Sequence, residues 1–418
     1  MDLDSMNSST GNVLRGNVVI GQSGGPTAVI NQSLAGVIET LRRDERIGKI
    51  FGCVHAVRGI VNEQFIELQD IDPERIERMA MTPSAALGSG RDKPDLAYVQ
   101  RICETLEKWG VHYFFYIGGN DSSDACRIVN NTANQMGYEL RCFHVPKTID
   151  NDLACNDHTP GYGSAAKFVA HAFLGDNLDN RALGGIKIDV VMGRQAGFLT
   201  AASVLARRDA ADGPHLVYLP EVDFDETHFL DQVDRVYSRY GRCLIAVSEG
   251  IHGTDGIPIL RHLAEKLDLD AHGNIQLSGT GVLADFLASS IREHLSCKLR
   301  IRADTFGYLQ RSFAGCVSRV DCEEARQVGR ETATMALDGA MDGSMAIERI
   351  CDDPYRVRYR RVELDEVAGK TRTLDRRFIV DGYQVSDSFC DYLRPLVGEL
   401  PPLETFAIDS PVLQIQPV

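Results

Sequence analysis

Uniformly apolar runs alternate along the chain with longer stretches that have helical periodicity. The runs "NVVIG" (17–21), "YFFYIG" (113–118) and "CLIAVS" (243–248) are each followed by a glycine-bearing turn and then by a more polar segment. Strands this apolar, followed by a loop and a helix, are typical of a parallel sheet that is covered on both faces. The pattern therefore predicts an α/β fold of doubly wound, mostly parallel sheets.

Polar and glycine-rich clusters follow these runs, at the points where the predicted strands end. Ligands of doubly wound sheets bind beyond the carboxyl ends of the strands, so we expect the clusters to form one site. The length of 418 residues predicts two or three domains. Past Gly343 the sequence becomes rich in charged residues, as in "RVRYRRVELDEV" (356–367), which indicates an accessory segment.

Composition narrows the class of protein. The net charge of −15 argues against nucleic-acid binding, which needs a basic field. No apolar run approaches the roughly 18–20 residues of a membrane span, and residues 1–12 resemble a flexible leader more than a signal peptide. The eleven cysteines include no C-x-x-C pair, which favours reduced thiols in a cytoplasmic protein.

Two glycine-bearing loops are candidates for anion binding. Gly24 and Gly25, in "GQSGGPTAVIN", let the backbone approach an anion in front of a helix N-terminus. A tight turn without a ligand explains them equally well. Arg91 ends "LGSGR" and gains significance only if it meets the other loops, because surface arginines are common.

The stretch "HVPKTIDNDL" (144–153) is the most informative of the clusters. Lys147, Thr148, Asp150 and Asp152 lie within six residues directly after an apolar run. Paired carboxylates can divide labour, one near a metal ion and one as a base. The alternative is a solvated turn in which aspartate and asparagine make local hydrogen bonds.

The stretch "GGNDSSDA" (118–125) poses a question. Asn120 and Asp121 follow a glycine pair at a predicted strand end, so Asp121 brings negative charge to a place suited to anions. A helix cap is the simplest explanation for this aspartate.

Further candidates follow three later strands. Gly193 and Arg194 lie in "VVMGRQAGF", Glu249 lies in "AVSEG", and "RADTFGYLQRSF" supplies Arg302, Tyr308 and Arg311. Arginines suit a phosphate monoester and a glutamate suits sugar hydroxyls. Together with the carboxylates, these residues predict phosphoryl transfer to a hydroxyl. The chain has neither a P-loop nor the protein-kinase motifs.

The series "SGGPTAVIN", "GSGR", "GGNDSSDA", "PKTIDND", "MGRQAGF", "SEG" and "FGYLQR" resembles the phosphofructokinase family in content and order. The resemblance implies Mg²⁺ as cofactor, two similar domains with the active site between them, and a homodimer or homotetramer. We expect a phosphoryl-donor domain at 13–153 plus about 305–342 and a sugar-phosphate domain at 154–304. The accessory segment, 343–418, is expected to close onto the sugar-phosphate domain.

By resemblance, Asp150 is the base that deprotonates the C1 hydroxyl of fructose 6-phosphate. Thr148 contacts the same end of the sugar, Arg91 bridges donor and acceptor, and Asp152 helps to organise Mg²⁺. The donor phosphates would contact Gly24 and Gly25. The residues implied for the sugar phosphate are Met192, Gly193, Arg194, Glu249, Tyr308, Arg311 and, lent by a neighbouring subunit, Arg302.

Two positions distinguish donors within the family. Members that use ATP resemble GGDGS and PGTIDND, whereas pyrophosphate-using members resemble GGDDS and PKTID. Asp121 and Lys147 match the pyrophosphate branch. A carboxylate where the α-phosphate of ATP would lie rejects ATP by bulk and by like charge.

The sequence departs from the family pattern at two positions, and three alternative functions stay open. Asn120 stands where the metal-linked aspartate usually stands, and Gly185 replaces a basic residue for which Lys187 is a candidate substitute. ATP as donor, sedoheptulose 7-phosphate as acceptor, and a non-catalytic regulatory subunit of the same fold are the competing hypotheses.

Overall fold

The computed structural model describes residues 14–93, 95–264, 279–295 and 299–405. The expected flexible leader at 1–12 lies outside these residues. The larger sheet has the strand order β11-β10-β5-β4-β1-β2-β3. Its strands are β1 (Gly16–Gln22), β2 (Ile47–Cys53), β3 (Phe65–Glu67), β4 (Val111–Gly118), β5 (Arg141–Pro146), β10 (Asp342–Asp352) and β11 (Tyr355–Val362).

A second sheet has the order β7-β8-β6-β9, and all of its pairs are parallel. Its strands are β6 (Gly185–Val191), β7 (Leu216–Tyr218), β8 (Arg242–Ser248) and β9 (Ile301–Thr305). The larger sheet is parallel except at its edges, where β3 and β11 run antiparallel to their neighbours. A short hairpin pairs β12 (Ile379–Val380) with β13 (Gln384–Val385).

Each sheet separates two apolar cores, which explains why its strands are apolar on both sides. In β1, Val18 and Ile20 pack in one core while Val19 packs in the core on the opposite face. In β6, Ile188 and Val191 likewise belong to different cores. Helices cover both faces, as the alternation of runs predicts. The predicted α/β fold of two doubly wound sheets is therefore confirmed.

The helices divide between the two sheets. Those packed around the larger sheet are α1 (Ile30–Leu41), α2 (Val57–Val61), α3 (Pro73–Ala80), α4 (Leu96–Lys108), α5 (Asn120–Met136), α11 (Arg319–Leu337) and α12 (Leu364–Val367). The others are α6 (Tyr162–Leu183), α7 (Phe198–Ala201), α8 (Glu226–Tyr240), α9 (Ile259–Ala264), α10 (Val282–Leu295) and α13 (Asp387–Val397). Among the helices that the structure describes, none combines the length and apolarity that crossing a bilayer requires.

The accessory segment begins with two strands. These strands, β10 and β11, extend the larger sheet, and the closure of 343–418 onto the sugar-phosphate domain stays a prediction. Strand β11 alternates half-buried and exposed residues over most of its length. An edge strand with one solvated face tolerates such charge, which is why its sequence did not indicate a strand. Helix α13 packs instead against α6.

Candidate active site

The glycine loop after β1 lies against the loop that contains Arg91 and against the side chain of Lys147. The Gly24 N–H donates to the Gly90 carbonyl at 2.9 Å, and the Ser89 hydroxyl donates to the Gly24 carbonyl at 2.6 Å. Lys147 Nζ donates to the Gly25 carbonyl at 2.8 Å. Three of the predicted clusters therefore meet at one edge of the sheet.

Both glycines lie close to cationic side chains, which a side chain at either position would crowd. Gly24 has φ +77°, and a Cβ atom there would lie 3.2 Å from Lys147 Nζ. A Cβ atom on Gly25 would lie 3.1 Å from Arg311 Nε. Because Arg311 follows β9 of the second sheet, these contacts join the predicted donor loop to the predicted sugar-phosphate loop.

Lys147 is an ammonium group in an almost closed environment, with 2 % of its surface exposed. Burial, reinforced by the charge of Arg311, lowers its pKa to about 7, although Asp150 acts in the opposite direction. A lysine with this pKa can exchange a proton near neutral pH, whereas an exposed lysine stays charged.

The carboxylates Asp150 and Asp152 follow β5 on one short loop. Burial raises the pKa of Asp150, opposed chiefly by the charge of Arg311 and then by Lys147 and Arg194. Burial and the neighbouring Asp150 raise the pKa of Asp152 to about 7. The N–H of Asp150 donates to Thr148 Oγ1 at 3.1 Å, which ties the predicted base to the predicted sugar contact.

Asn120 is the first residue of α5 and contacts the same loop. Its Nδ2 donates to Asp152 Oδ2 at 2.8 Å. Its Oδ1 is buried and has no hydrogen-bond partner within the described part of the chain. Buried polar atoms without partners are costly, so this oxygen is suited to a ligand that the site receives.

Asp121 does not cap α5, because the N-cap position is Gly119 and no side chain caps the helix. Its carboxylate is 83 % exposed and lies 3.5 Å from Lys93 Nζ. It stands in the first turn of the helix, where a negative charge is favourable. The carboxylate is therefore presented beside the loop of Arg91, which is itself exposed.

Four of the residues predicted to bind the sugar phosphate lie at the ends of β6 and β8. Met192 is buried, and its N–H donates to Gln310 Oε1 at 3.3 Å. Gly193 has φ +136°, and its carbonyl accepts from the Ser248 hydroxyl at 2.6 Å. Glu249 is buried, and its N–H donates to the carbonyl of Val191 at 2.9 Å. Arg194 is exposed at the opening.

Arg311 stacks on the half-exposed ring of Tyr308 with its guanidinium carbon 4.5 Å from the ring centre. Burial and the nearby charge of Arg91 lower the pKa of Arg311, while Asp150 and Glu249 oppose them. The predicted phosphate-holding pair is thus assembled beside the predicted base. Arg302 lies apart from this group, exposed on the edge strand β9.

Lys187 does not replace the missing basic residue at position 185. Its ammonium group makes ion pairs with Asp176 at 3.6 Å and Asp189 at 3.7 Å, and with Asp304. These carboxylates neutralise its charge within the chain, so it is not available to hold a phosphate.

Sequence reasoning missed four contributors to the site. Ser89 and Gln310 lie inside the recognised blocks "GSGR" and "FGYLQR", where attention to hydroxyl and amide groups would have found them. Arg372 and Tyr392 contact the loop of Asp150 and Asp152 from the accessory segment. No local motif marks these two residues, because the contacts are created by the fold.

The geometry agrees with comparisons to known proteins. The family profile described as phosphofructokinase matches residues 17–336. The chain belongs to the phosphofructokinase family, as the seven blocks predict. Together the two sheets and the site between their loops define a phosphotransferase of this family.

Individual relatives within the family are similar to this chain over most of its length. A protein of Rhodospirillum rubrum named pyrophosphate–fructose 6-phosphate 1-phosphotransferase is 54 % identical over 92 % of this chain and 95 % of its own length. A protein of Halomonas elongata with the same name is 38 % identical over 93 % and 94 %. The crystal structure of a pyrophosphate-dependent phosphofructokinase from Marinobacter aquaeolei superposes with a TM-score of 0.81 at 33 % identity, covering 93 % of this chain and 94 % of that one. These are the relatives expected from Asp121 and Lys147.

Proposed function

We propose that the protein catalyses reversible, Mg²⁺-dependent phosphoryl transfer from pyrophosphate to the C1 hydroxyl of fructose 6-phosphate. The products are fructose 1,6-bisphosphate and phosphate, as in glycolysis and gluconeogenesis, and we propose a cytoplasmic location. The observation that carries the proposal is the convergence of Asp150, Lys147 and Arg311 beneath the Gly24–Gly25 loop. The names of the similar proteins support it.

Asp150 would accept the proton of the C1 hydroxyl as its oxygen attacks the terminal phosphorus of pyrophosphate. A new C1–O–P bond forms, the bridging P–O bond breaks, and its electron pair leaves with inorganic phosphate. Burial of Asp150 raises its pKa, which makes the carboxylate a stronger base than an exposed aspartate. Arg194, Arg311 and Lys147 keep its charged form accessible.

Lys147 and the arginines would stabilise the negative charge of the transferring group. The Lys147 ammonium is already aimed at the glycine loop through its bond to the Gly25 carbonyl. Preorganised donors in a closed site stabilise charge better than mobile surface groups do. Thr148, Met192, Gly193, Glu249 and Tyr308 would hold the sugar phosphate, and Arg91 would bridge donor and acceptor.

Asp152 and Asn120 fit an Mg²⁺ ion. The buried Oδ1 atom of Asn120 lacks a partner among the described residues, and the Asp152 carboxylate lies beside the same amide. Both are oxygen ligands of the kind that Mg²⁺ prefers. When bound, the ion neutralises charge on the phosphates. Asn120 thus has two roles: it orients Asp152 through Nδ2 and offers Oδ1.

The donor preference depends on Asp121 and Lys147. We predict that the double substitution Asp121→Gly with Lys147→Gly creates measurable ATP-dependent activity, because it removes an exposed carboxylate and the ammonium that fills the space below Gly24. The measurement is the initial rate with ATP and fructose 6-phosphate. The control is Lys93→Met, which leaves Asp121 in place; an unchanged absence of ATP use in the double variant would contradict the prediction.

We propose a homodimer or homotetramer in which Arg302 serves the site of a neighbouring subunit. Its exposed position on an edge strand, away from the other phosphate ligands of its own chain, supports this proposal. Coexpression of Arg302→Ser and Asp150→Ala chains tests it. The mixed oligomer should recover activity that neither variant has alone, because one of its sites combines an intact Asp150 with a lent Arg302. No recovery from a demonstrated mixed oligomer would overturn the proposal.

The reaction itself is tested by ³¹P NMR of purified protein with pyrophosphate, fructose 6-phosphate and Mg²⁺. We expect a C1 phosphate resonance and inorganic phosphate in equal amounts, and the reverse conversion from fructose 1,6-bisphosphate and phosphate. Hydrolysis of pyrophosphate without sugar phosphorylation would contradict the proposed function.

A further inference from the structure

The accessory segment contacts the loop that carries both carboxylates. Leu153 forms an isolated antiparallel bridge with Thr371. The backbone N–H of Arg372 donates to the Asp152 carbonyl at 2.8 Å, and its side-chain Nε donates to the Asn151 carbonyl at 2.8 Å. A single residue of this segment therefore bonds two successive carbonyls of the loop.

These two bonds restrain the backbone on both sides of the Asp152 Cα atom. The Asn151 carbonyl belongs to the peptide plane before the Cα atom of Asp152, and the Asp152 carbonyl belongs to the plane after it. Because peptide units are planar, restraining both planes limits the two backbone dihedrals at that Cα atom and hence the direction of its Cα–Cβ bond. Arg372 thus restrains where the Asp152 side chain leaves the backbone, while the bond from Asn120 Nδ2 holds the carboxylate itself.

Asn151, the residue between the two carboxylates, is also held by hydrogen bonds with the accessory segment. Asn151 is fully buried and has φ +57°, a left-handed conformation that asparagine adopts more readily than most residues. Its Nδ2 donates to the Tyr392 hydroxyl at 3.0 Å, and that hydroxyl donates to the Asp157 carbonyl at 2.9 Å. The bonds from Tyr392 and Arg372 together stabilise this uncommon conformation.

Arg372 also reaches the sugar-phosphate side of the site. Its guanidinium carbon lies 4.8 Å from the ring centre of Phe198, which follows Gly197 at the start of α7. Glu221 Oε1 accepts from the N–H of Gly197 and from the N–H of Leu374, both at 2.8 Å. The segment around Arg372 therefore contacts the loops from both sheets at once.

We propose that Arg372, supported by Tyr392, is a positioning residue that holds the Asp150–Asp152 loop in its reactive geometry against the loop that precedes Phe198. The kinetic consequence rests on the proposed function, whereas the structural consequence does not. Nothing in the accessory segment needs to touch the substrate for this role.

The first test is kinetic and uses Arg372→Met, which keeps much of the side-chain volume and removes both the charge and the side-chain donors. We expect kcat with pyrophosphate and fructose 6-phosphate to fall about 10- to 100-fold, with both KM values changed less than about threefold. Arg372→Lys should restore part of kcat, because it keeps the charge and a single nitrogen that can donate hydrogen bonds. The matched control is Arg377→Met, which removes an arginine of the same segment that pairs with Asp375 and stacks on Phe378.

The second test needs no activity. Hydrogen–deuterium exchange of the free protein should speed up at residues 150–153 in Arg372→Met, while exchange in the strands of both sheets stays as in the wild type. The Arg372→Met and Tyr392→Phe effects on kcat should be less than additive when combined, because both act through Asn151. If the wild type transfers no phosphoryl group, the proposed function fails while the exchange measurement still judges the positioning role. Unchanged exchange at 150–153, or wild-type kcat in Arg372→Met, would overturn the inference.

Discussion

Replacing Asp150 with asparagine should lower kcat by about 10²- to 10⁴-fold, the range typical for loss of a general base. Asparagine has nearly the same size, and the bond from the backbone N–H of residue 150 to Thr148 Oγ1 does not depend on the side chain. The loop should therefore keep its shape while losing the group that accepts the proton. The measurement is kcat with pyrophosphate and fructose 6-phosphate, together with calorimetric affinity for fructose 6-phosphate.

The calorimetric measurement separates an effect on the chemical step from an effect on substrate binding. We expect the affinity for fructose 6-phosphate to change by less than about tenfold, since Arg311, Glu249 and Tyr308 are unaltered. A suitable control is Asp365→Asn, because that carboxylate is 83 % exposed and lies on α12. Near-normal turnover in Asp150→Asn would remove Asp150 from the role of base.

Replacing Lys147 with methionine should have two opposite consequences, a loss of activity and a gain in stability. Removal of a preorganised charge at the reacting phosphate is expected to lower kcat by about 10²- to 10³-fold. Stability should rise because burial lowers the pKa of Lys147 to about 7 from 10.5, so the folded protein disfavours the charged form.

The sign of the pH dependence follows from proton binding. Between pH 7 and 10.5 the unfolded chain holds this proton and the folded chain has largely lost it, so the stability of the wild type rises with pH in this window. Below pH 7 Lys147 is charged in the folded chain as well, so burial of this charge lowers the free energy of unfolding by its full amount. The Tm advantage of Lys147→Met should therefore be largest near pH 6 and smaller near pH 9. A lower Tm than the wild type at pH 6 would show that the contacts of Lys147 outweigh the cost of its burial.

The sequence predicted the sheets and most of the site for identifiable physical reasons. Strands buried on both faces, such as β1 and β4, are apolar over most of their length and are visible without any structure. Gly24 and Lys147 follow β1 and β5 closely, so the parallel topology of the larger sheet brings them to the same edge. The position of Arg311 also depends on how the loop after β9 of the second sheet meets that edge.

What the sequence could not predict depends on long-range contacts. The charged edge strand β11 resembles a solvated segment, and Arg372 and Tyr392 meet Asn151 only because the chain returns to the larger sheet before α13. The bond from Asn120 Nδ2 to Asp152 was also hidden, because it depends on which amide atom faces Asp152. The first interpretation of Asp121 as a helix cap was excluded only by the geometry of α5.

The central claim is that the donor site accepts two phosphates and rejects a nucleotide. The most direct measurement is kcat/KM for pyrophosphate and for ATP, each with saturating fructose 6-phosphate and Mg²⁺. We expect pyrophosphate to support turnover and ATP to be at least about 100-fold worse, which corresponds to roughly 2.7 kcal/mol of discrimination. Comparable values for the two donors, or activity with ATP alone, would contradict the account.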